Sequence, residues 1–315
     1  LKSSCDGNNS VRISGLKLFF ALSRTPHGLI DIASPALGAL LCLGMFPPVH
    51  TVILGLITAF SGYTAVYALN DVVDYQTDKE KVRMGGYGDS DDFIDGVLVR
   101  HPLAKGILSL KAGFFWVLAW GMLALAGAYL LNPVCVYIFI AGCILEIIYC
   151  RMFKVSPLRT LASGLVKSCG ALAAAFAVNP EPSPFFLITL LLWIFFWEIG
   201  GQNIPNDWTD LEEDRHLKAQ TIPVRLGRHR AGILITVCLL LSLLMNLVLF
   251  LSSPLYFGPL YYVAAVAVNL QFLLVPAVRL NDKKDRIRAM ALFNKASYFP
   301  LAMLSLVLFN VIFQP

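Results

Sequence analysis

Asn70-Asp71-Val72-Val73-Asp74-Tyr75-Gln76-Thr77-Asp78 and Asn206-Asp207-Trp208-Thr209-Asp210-Leu211-Glu212-Glu213-Asp214 spell one string twice, Asn-Asp-x-x-Asp-x-x-x-Asp, 136 residues apart and without a gap. Each follows a long apolar run, so each stands where a membrane helix would end. Offsets 0, 4 and 8 of a helix, with 1 beside them, fall on one face. Extending either helix past the bilayer would therefore stack one amide and three carboxylates along a stripe. Like charges so placed repel unless a cation holds them. Oxygen-only ligands suit Mg²⁺, which keeps some waters and completes its shell with substrate phosphate. Two stripes facing each other would hold two or more Mg²⁺ and clamp a diphosphate between them. A solvated acidic helix end explains one such stripe equally well; it explains the duplication poorly.

Working outward, the solvent of the chain is lipid. Of 315 residues, 57% are apolar and 14% charged, with a mean hydropathy of +0.69, whereas soluble domains carry about 25% charged residues. A helical span needs about 20 largely apolar residues. Nine stretches meet this: 27–46, 49–69, 107–131, 133–150, 158–178, 184–203, 231–251, 255–279 and 288–313. Charge placement tests the number independently. The connections at 47–50, 132, 179–183 and 252–254 contain no Lys or Arg, while the other loops and the N-terminal arm carry them. Nine spans put the four uncharged turns on one side and the charged loops on the other. Lys/Arg excess marks the cytoplasmic face, so the N-terminus and both acidic motifs are expected inside, and Gln314-Pro315 outside. The net charge of +5 then belongs to cations flanking helices beside anionic headgroups and gives no reason to expect nucleic acid. Seven cysteines form no zinc pattern and read as buried structural thiols. The N-terminal arm lacks the apolar core of a signal peptide. A start at Leu1 rather than Met points to removal of something upstream.

The motif faces continue inward. Steps of four below Asp71 reach Tyr67 and Tyr63; below Asn206 they reach Gln202 and Glu198. These positions should line a cavity running from the metal site into the bilayer. The tyrosines would contact an isoprenoid tail or shield a carbocation with their π faces, although ordinary helix packing accounts for them as well. A carboxylate inside a span faces a cavity or a partner, so Glu198 either orients an acceptor or pairs with Lys167 or Lys295.

With two such motifs after its second and sixth spans, the chain resembles the UbiA superfamily of intramembrane prenyltransferases. Arg24-Thr25-Pro26-His27, Pro102-Leu103-Ala104-Lys105-Gly106, and Asp214-Arg215 leading to Thr221-Ile222-Pro223-Val224-Arg225-Leu226-Gly227 are similar to further stretches of that family. The resemblance implies an all-α, polytopic bundle of about nine helices around a central cavity, in one domain spanning 1–315. Residues 1–15 would form an N-terminal arm, and 70–106 and 204–230 cytoplasmic cap loops. It implies that Asn70, Asp71, Asp74, Asp78, Asn206, Asp207, Asp210 and Asp214 bind Mg²⁺ and the diphosphate. Arg24, Lys154 and Lys218 are candidates for the remaining phosphate contacts, with helix anchoring by snorkelling as the alternative for each. Two departures stand out: His101 where the family usually has Arg, and Gln220 where many members have Lys. The 79–100 stretch looks longer than usual and carries Asp89, Asp91, Asp92 and Asp95. It lacks the Gly and Glu of an EF-hand loop and reads as a solvated acidic loop.

The expected reaction is ionisation of an allylic polyprenyl diphosphate and capture of the allylic cation by an acceptor, with Asp78 or Asp214 drawing off the acceptor's proton. A hydroxybenzoate-like quinone precursor is the acceptor favoured; a glycerol-phosphate lipid headgroup and internal cyclisation of the terpene are the alternatives within the scaffold. A cation-coupled transporter is the alternative of another class. Transporters place their carboxylates near the bilayer midplane, and these lie at its boundary. The expected setting is a bacterial or archaeal cell membrane, with the site on the cytoplasmic side.

Overall fold

The computed structural model describes residues 15–85 and 98–313. The arm before Gly15 and the Asp89–Asp95 cluster lie outside the described residues. Among those described, every regular element is helical. The chain runs through α1 (Gly15–Leu22), α2 (Thr25–Asp31), α3 (Ala33–Leu43), α4 (Val49–Val73), α5 (Tyr75–Arg83), α6 (Leu110–Leu131), α7 (Pro133–Arg151) and α8 (Arg159–Val178). It continues through α9 (Pro184–Trp197), a π-helical segment Glu198–Asn203, α10 (Ile204–Thr209), α11 (Leu211–His216) and α12 (Ile222–Ser252). α13 (Pro259–Asn269), a second π segment Leu270–Leu274, α14 (Val275–Lys283) and α15 (Arg286–Phe313) complete it. Nine helical spans among the described residues are long and apolar enough to cross a membrane. The protein is an integral membrane protein of polytopic all-α architecture.

Local chemistry explains several of the boundaries. Asn132 ends α6 and caps α7, its side chain accepting from the Val134 amide, and Pro133 occupies the first helical turn where its missing N–H costs nothing. Ser109 caps α6 through the Ala112 amide. The seventh span begins earlier than its apolar run, because Pro223 starts a helical turn that breaks at Gly227 (φ 74°, ψ 163°) before the apolar stretch takes over. Only a residue without Cβ holds that conformation readily.

Side-chain distribution follows the solvent. Phe114, Phe115, Tyr137 and Ile144 on α6 and α7 point outward and are exposed, as lipid-facing residues should be. The densest packing lies on the other side, where Trp193, Trp197, Ile194 and Phe299 are fully buried among α9, α12 and α15. The Trp197 indole donates to the Ala296 carbonyl (3.0 Å), satisfying the one polar atom that ring brings into the core. Close approach there depends on glycine: a Cβ on Gly201 would lie 2.9 Å from that of Ala296. α4 packs along α6, α7 along α8, and α8 against α3 and α9. This ring of helices leaves space at its centre.

Both acidic motifs depart from the straight stripe expected of them, and at the same place. α4 stops at Val73 and α5 starts at Tyr75, with Asp74 between them at φ −85°, ψ 2°. α10 stops at Thr209 and α11 starts at Leu211, with Asp210 between them at φ −98°, ψ 11°. A ψ near zero is the bridge conformation. It turns the chain while i→i−4 bonds flank the joint: Asp78 N to Asp74 O (2.9 Å) and Asp214 N to Asp210 O (2.8 Å).

Candidate active site

The first motif forms one wall. Asn70 turns its carbonyl to Arg24, whose Nη2 lies 3.1 Å away and also 3.0 Å from Asp71 Oδ1. The Asn70 amide donates to Glu146 Oε1 (2.6 Å), which fixes which end of the amide faces the Arg24 side. His101 enters from the α5–α6 connection. Its Nδ1 stands 3.0 Å from Asp78 Oδ2 and 3.4 Å from Asp71 Oδ1. Burial disfavours the charged imidazole, but Asp78 and Asp71 outweigh that and push its pKa up to about 9. Burial, and then the neighbouring Asp78, push the Asp74 carboxyl up to about 6.

The second motif forms the facing wall, and a lysine from the first joins the two. Lys81, three residues past Asp78 on α5, places Nζ 3.5 Å from Asp210 Oδ2 and 3.2 Å from Asp214 Oδ1. Burial works against this ammonium, yet Asp210, Asp214 and Asp78 hold its pKa above the usual lysine range. Arg159 lies under the Asp207 carboxylate, 3.8 Å away, with its guanidinium over the rings of Tyr149 and Phe153. Asp207 Oδ2 is buried with no hydrogen-bond partner among the described residues. An acceptor oxygen left bare beside other carboxylates fits a cation.

Between the walls lies a cavity of about 530 Å³. Asn70, Asp74, Asp78, Asn206, Asp207 and Asp210 line its polar end, together with Arg24, Lys81, His101 and Arg159. One face of α4, from Asn70 through Tyr63, Gly62 and Gly55 to Thr51, carries the lining down through the bilayer. At 1.5 Å per residue that face extends about 29 Å. Its lower part is apolar, with Ile138, Phe139, Leu304 and Leu308 among the lining side chains. The model of the UbiA prenyltransferase family matches residues 32–302. This chain belongs to that family. Digeranylgeranylglyceryl phosphate synthase from Thermococcus kodakarensis is 24% identical over 216 residues, covering 69% of this chain and 71% of the relative. The synthase of the same name from Methanosarcina mazei is 25% identical over 206 residues, covering 64% and 68%. A UbiA homolog from Archaeoglobus fulgidus, solved bound to DMAPP and Mg²⁺, superposes with a TM-score of 0.68 at 17% identity, covering 94% of this chain and 99% of that one.

Membership makes this chain a prenyltransferase of the UbiA type. These two relatives are named for a glyceryl phosphate product, the acceptor class given above as an alternative; the favoured aromatic quinone precursor finds no support in their names.

Corrections concern single residues of this UbiA-family site. Lys154 does not reach the cavity: its ammonium donates to Glu80 (2.7 Å) at the exposed surface. Lys218 is exposed as well, in a left-handed turn (φ 57°) beyond α11. Lys81, His101 and Arg159 stand at the polar end instead. Asp71 and Asp214 lie behind the cavity surface, 3% and 1% exposed, in contact with His101 and Lys81. Tyr67 lines the cavity, but its hydroxyl donates to Asp31, and Lys167 donates to both Asp31 (2.6 Å) and the Tyr67 oxygen (3.2 Å). Glu198 accepts from Ser163 (2.7 Å), and Lys167 acts on it through its charge. Gln202, one π turn on, bonds Ser297 (2.9 Å).

Sequence reasoning missed Lys81, Arg159, Glu146 and Asp31. Two of these had a usable mark, since Glu146 and Asp31 are carboxylates within apolar spans. Lys81 had a weaker one, its i+3 spacing from Asp78.

Proposed function

We propose that this enzyme transfers an isoprenyl group from an allylic polyprenyl diphosphate to the hydroxyl of a glyceryl-phosphate lipid, releasing diphosphate at the cytoplasmic face. The observation that carries the reading is the convergence of two Asn-Asp-x-x-Asp-x-x-x-Asp motifs on one polar chamber that opens into a long apolar channel. The names of the curated relatives support the choice of acceptor.

Asp71, Asp74, Asp78, Asp207, Asp210 and Asp214, with the carbonyls of Asn70 and Asn206, form a donor set suited to Mg²⁺. Mg²⁺ bound there would neutralise charge on the departing diphosphate. Arg24, 32% exposed at its side chain, and Arg159 supply fixed positive charge for the same oxygens. The allylic C–O bond breaks with its electron pair remaining on the diphosphate. An acceptor hydroxyl oxygen then forms the new C–O bond, and its proton passes to a carboxylate. Glu198 suits that role better than Asp78 or Asp214. Its Oε2 is buried with no hydrogen-bond partner among the described residues, and its residue lines the cavity below the charged layer. Asp78 and Asp214 are already engaged by His101 and Lys81. Lys167 stands close enough to the cavity to meet the acceptor's phosphate.

The test pairs labelled geranylgeranyl diphosphate with a glyceryl-phosphate ether lipid, hydroxybenzoate, dihydroxynaphthoate or no acceptor, and reads products by mass spectrometry. Prenylated lipid is expected. Product only with the aromatic acids, or a cyclised hydrocarbon without acceptor, overturns the acceptor reading. Asp71, Asp74, Asp207 and Asp210, each changed to Ala, should lose about 100-fold or more in rate, the scale of removing a preorganised charge-stabilising group. Full activity in any two of them defeats the metal assignment.

A further inference from the structure

His101 is held in an unusual way for a residue that only balances charge. It occupies the left-handed backbone region at φ 50°, which is uncommon for residues other than glycine, though histidine enters it more readily than most. The next residues hold it there. Lys105 N bonds His101 O (3.1 Å), Ile107 N bonds Pro102 O (3.0 Å), and Leu103 is buried against Ala68 and Leu22. The imidazole is thereby fixed at 8% exposure between two carboxylates of the first motif.

The spacing has a chemical meaning. His101 Nδ1 lies 3.0 Å from Asp78 Oδ2 and 3.4 Å from Asp71 Oδ1, and the three ligand atoms all fall within 4.8 Å of one another. Neighbouring ligands of an octahedral ion with bonds of about 2.1 Å are about 3.0 Å apart. Arg24 Nη2 shares the same Asp71 oxygen, so the oxygen is already positioned as a bridging acceptor. Asp210 and Asp214 meet Lys81, and Asp207 meets Arg159, groups with no lone pair to give a metal. The imidazole of His101, by contrast, has a ring nitrogen that can donate to an ion directly.

We propose that His101 is a ligand of the divalent cation held by Asp71 and Asp78, giving this chain one mixed nitrogen–oxygen site. The inference rests on the reading of those aspartates as metal ligands. Imidazole nitrogen favours transition ions, whereas Mg²⁺ prefers an all-oxygen shell. The enzyme therefore binds Mn²⁺ and Co²⁺ at this position more tightly, relative to Mg²⁺, than carboxylates alone would.

The full chain, purified in detergent, is loaded with Mn²⁺ with and without inorganic pyrophosphate, and electron spin-echo modulation is recorded. A ¹⁴N coupling from a directly bound imidazole is expected in the unaltered protein and absent in His101→Asn. In that variant the preference for Mn²⁺ over Mg²⁺, from competition titration, falls about tenfold, the scale on which ligand-shell changes act. No ¹⁴N coupling in the unaltered protein under either condition overturns the proposal without any variant being needed. Asp78→Asn separates the two readings. If it abolishes Mn²⁺ binding while no ¹⁴N coupling is ever seen, the carboxylate site stands and the histidine ligand falls. If Mn²⁺ fails to bind the unaltered protein, or binds it and Asp78→Asn alike, both fall.

Discussion

Lys81 and His101 do the same electrostatic work on opposite motifs. Each puts a cation where two carboxylates would otherwise face each other in a low-dielectric pocket. Removing one partner of a buried pair leaves charge without compensation and costs about 3–5 kcal/mol. Lys81→Met should therefore lower thermal stability in chelator-treated protein by that order, because Asp210 and Asp214 lose their ammonium. Added Mg²⁺ should raise the melting temperature of the variant more than that of the unaltered protein. Equal shifts in both would show that Lys81 does not share its place with the ion. His101 makes a pH prediction. Its folded pKa of about 9 stands above the unfolded value of about 6.5, so its ion pairs contribute fully below pH 6.5. That contribution is lost as pH rises through 9. Melting temperatures of the chelator-treated protein should fall across pH 6.5 to 9, with a flatter profile for His101→Asn. The offset in pKa corresponds to a few kcal/mol.

The elements matter through their interruptions. The π segment Glu198–Asn203 precedes the second motif, and such wide turns recur at functional sites. Steps of four back from Asn206 reached Glu198 and Gln202 on the assumption of a regular helix. The wider turn alters their relation, so that Glu198 meets Ser163 in α8 while Gln202 is tied to Ser297 in α15. Glycines 200 and 201 let this distorted segment lie against α12 and α15. Gly201→Ala should destabilise the protein by about 1–3 kcal/mol through overpacking against Ala296. Ala296→Gly in the same chain should restore much of the loss, read as a double-mutant cycle by thermal unfolding. Additive losses would mean that the contact is not the cause.

At the scale of the molecule, the bundle joins two solvents. Its charged chamber gathers residues from α1–α2, α4, α5, α8 and α10–α11, and its channel descends along α4 among apolar side chains. A channel that long suits an extended prenyl chain, and its floor should set the chain length accepted. Gly55 lines the lower channel, and a Cβ added there would meet nothing within 4 Å. Gly55→Phe should fill that space without disturbing the fold. The expected outcome is a KM for geranylgeranyl diphosphate raised about tenfold, with geranyl diphosphate little affected, since one or a few lost apolar contacts are worth 1–3 kcal/mol. An equal change for both substrates would place the prenyl chain elsewhere.

Sequence alone determined the solvent, the number of spans and the two acidic motifs, because each is written in short-range order. Apolar run length fixes a span, Lys and Arg counts separate the loops, and an i, i+4, i+8 spacing marks a face. Lys154 and Lys218 show where that order ends, since a lysine on the cytoplasmic side of the bundle can point to the surface. What only the tertiary structure decided is which charges meet. Lys81 reaches the partner motif, Arg159 enters from α8, and His101 is carried in by a left-handed turn after α5. Those meetings depend on the bends at Asp74 and Asp210 and on the packing of α4, α8 and α10 around one space. Electrostatic contact is a property of distance through the fold, and distance along the chain does not contain it.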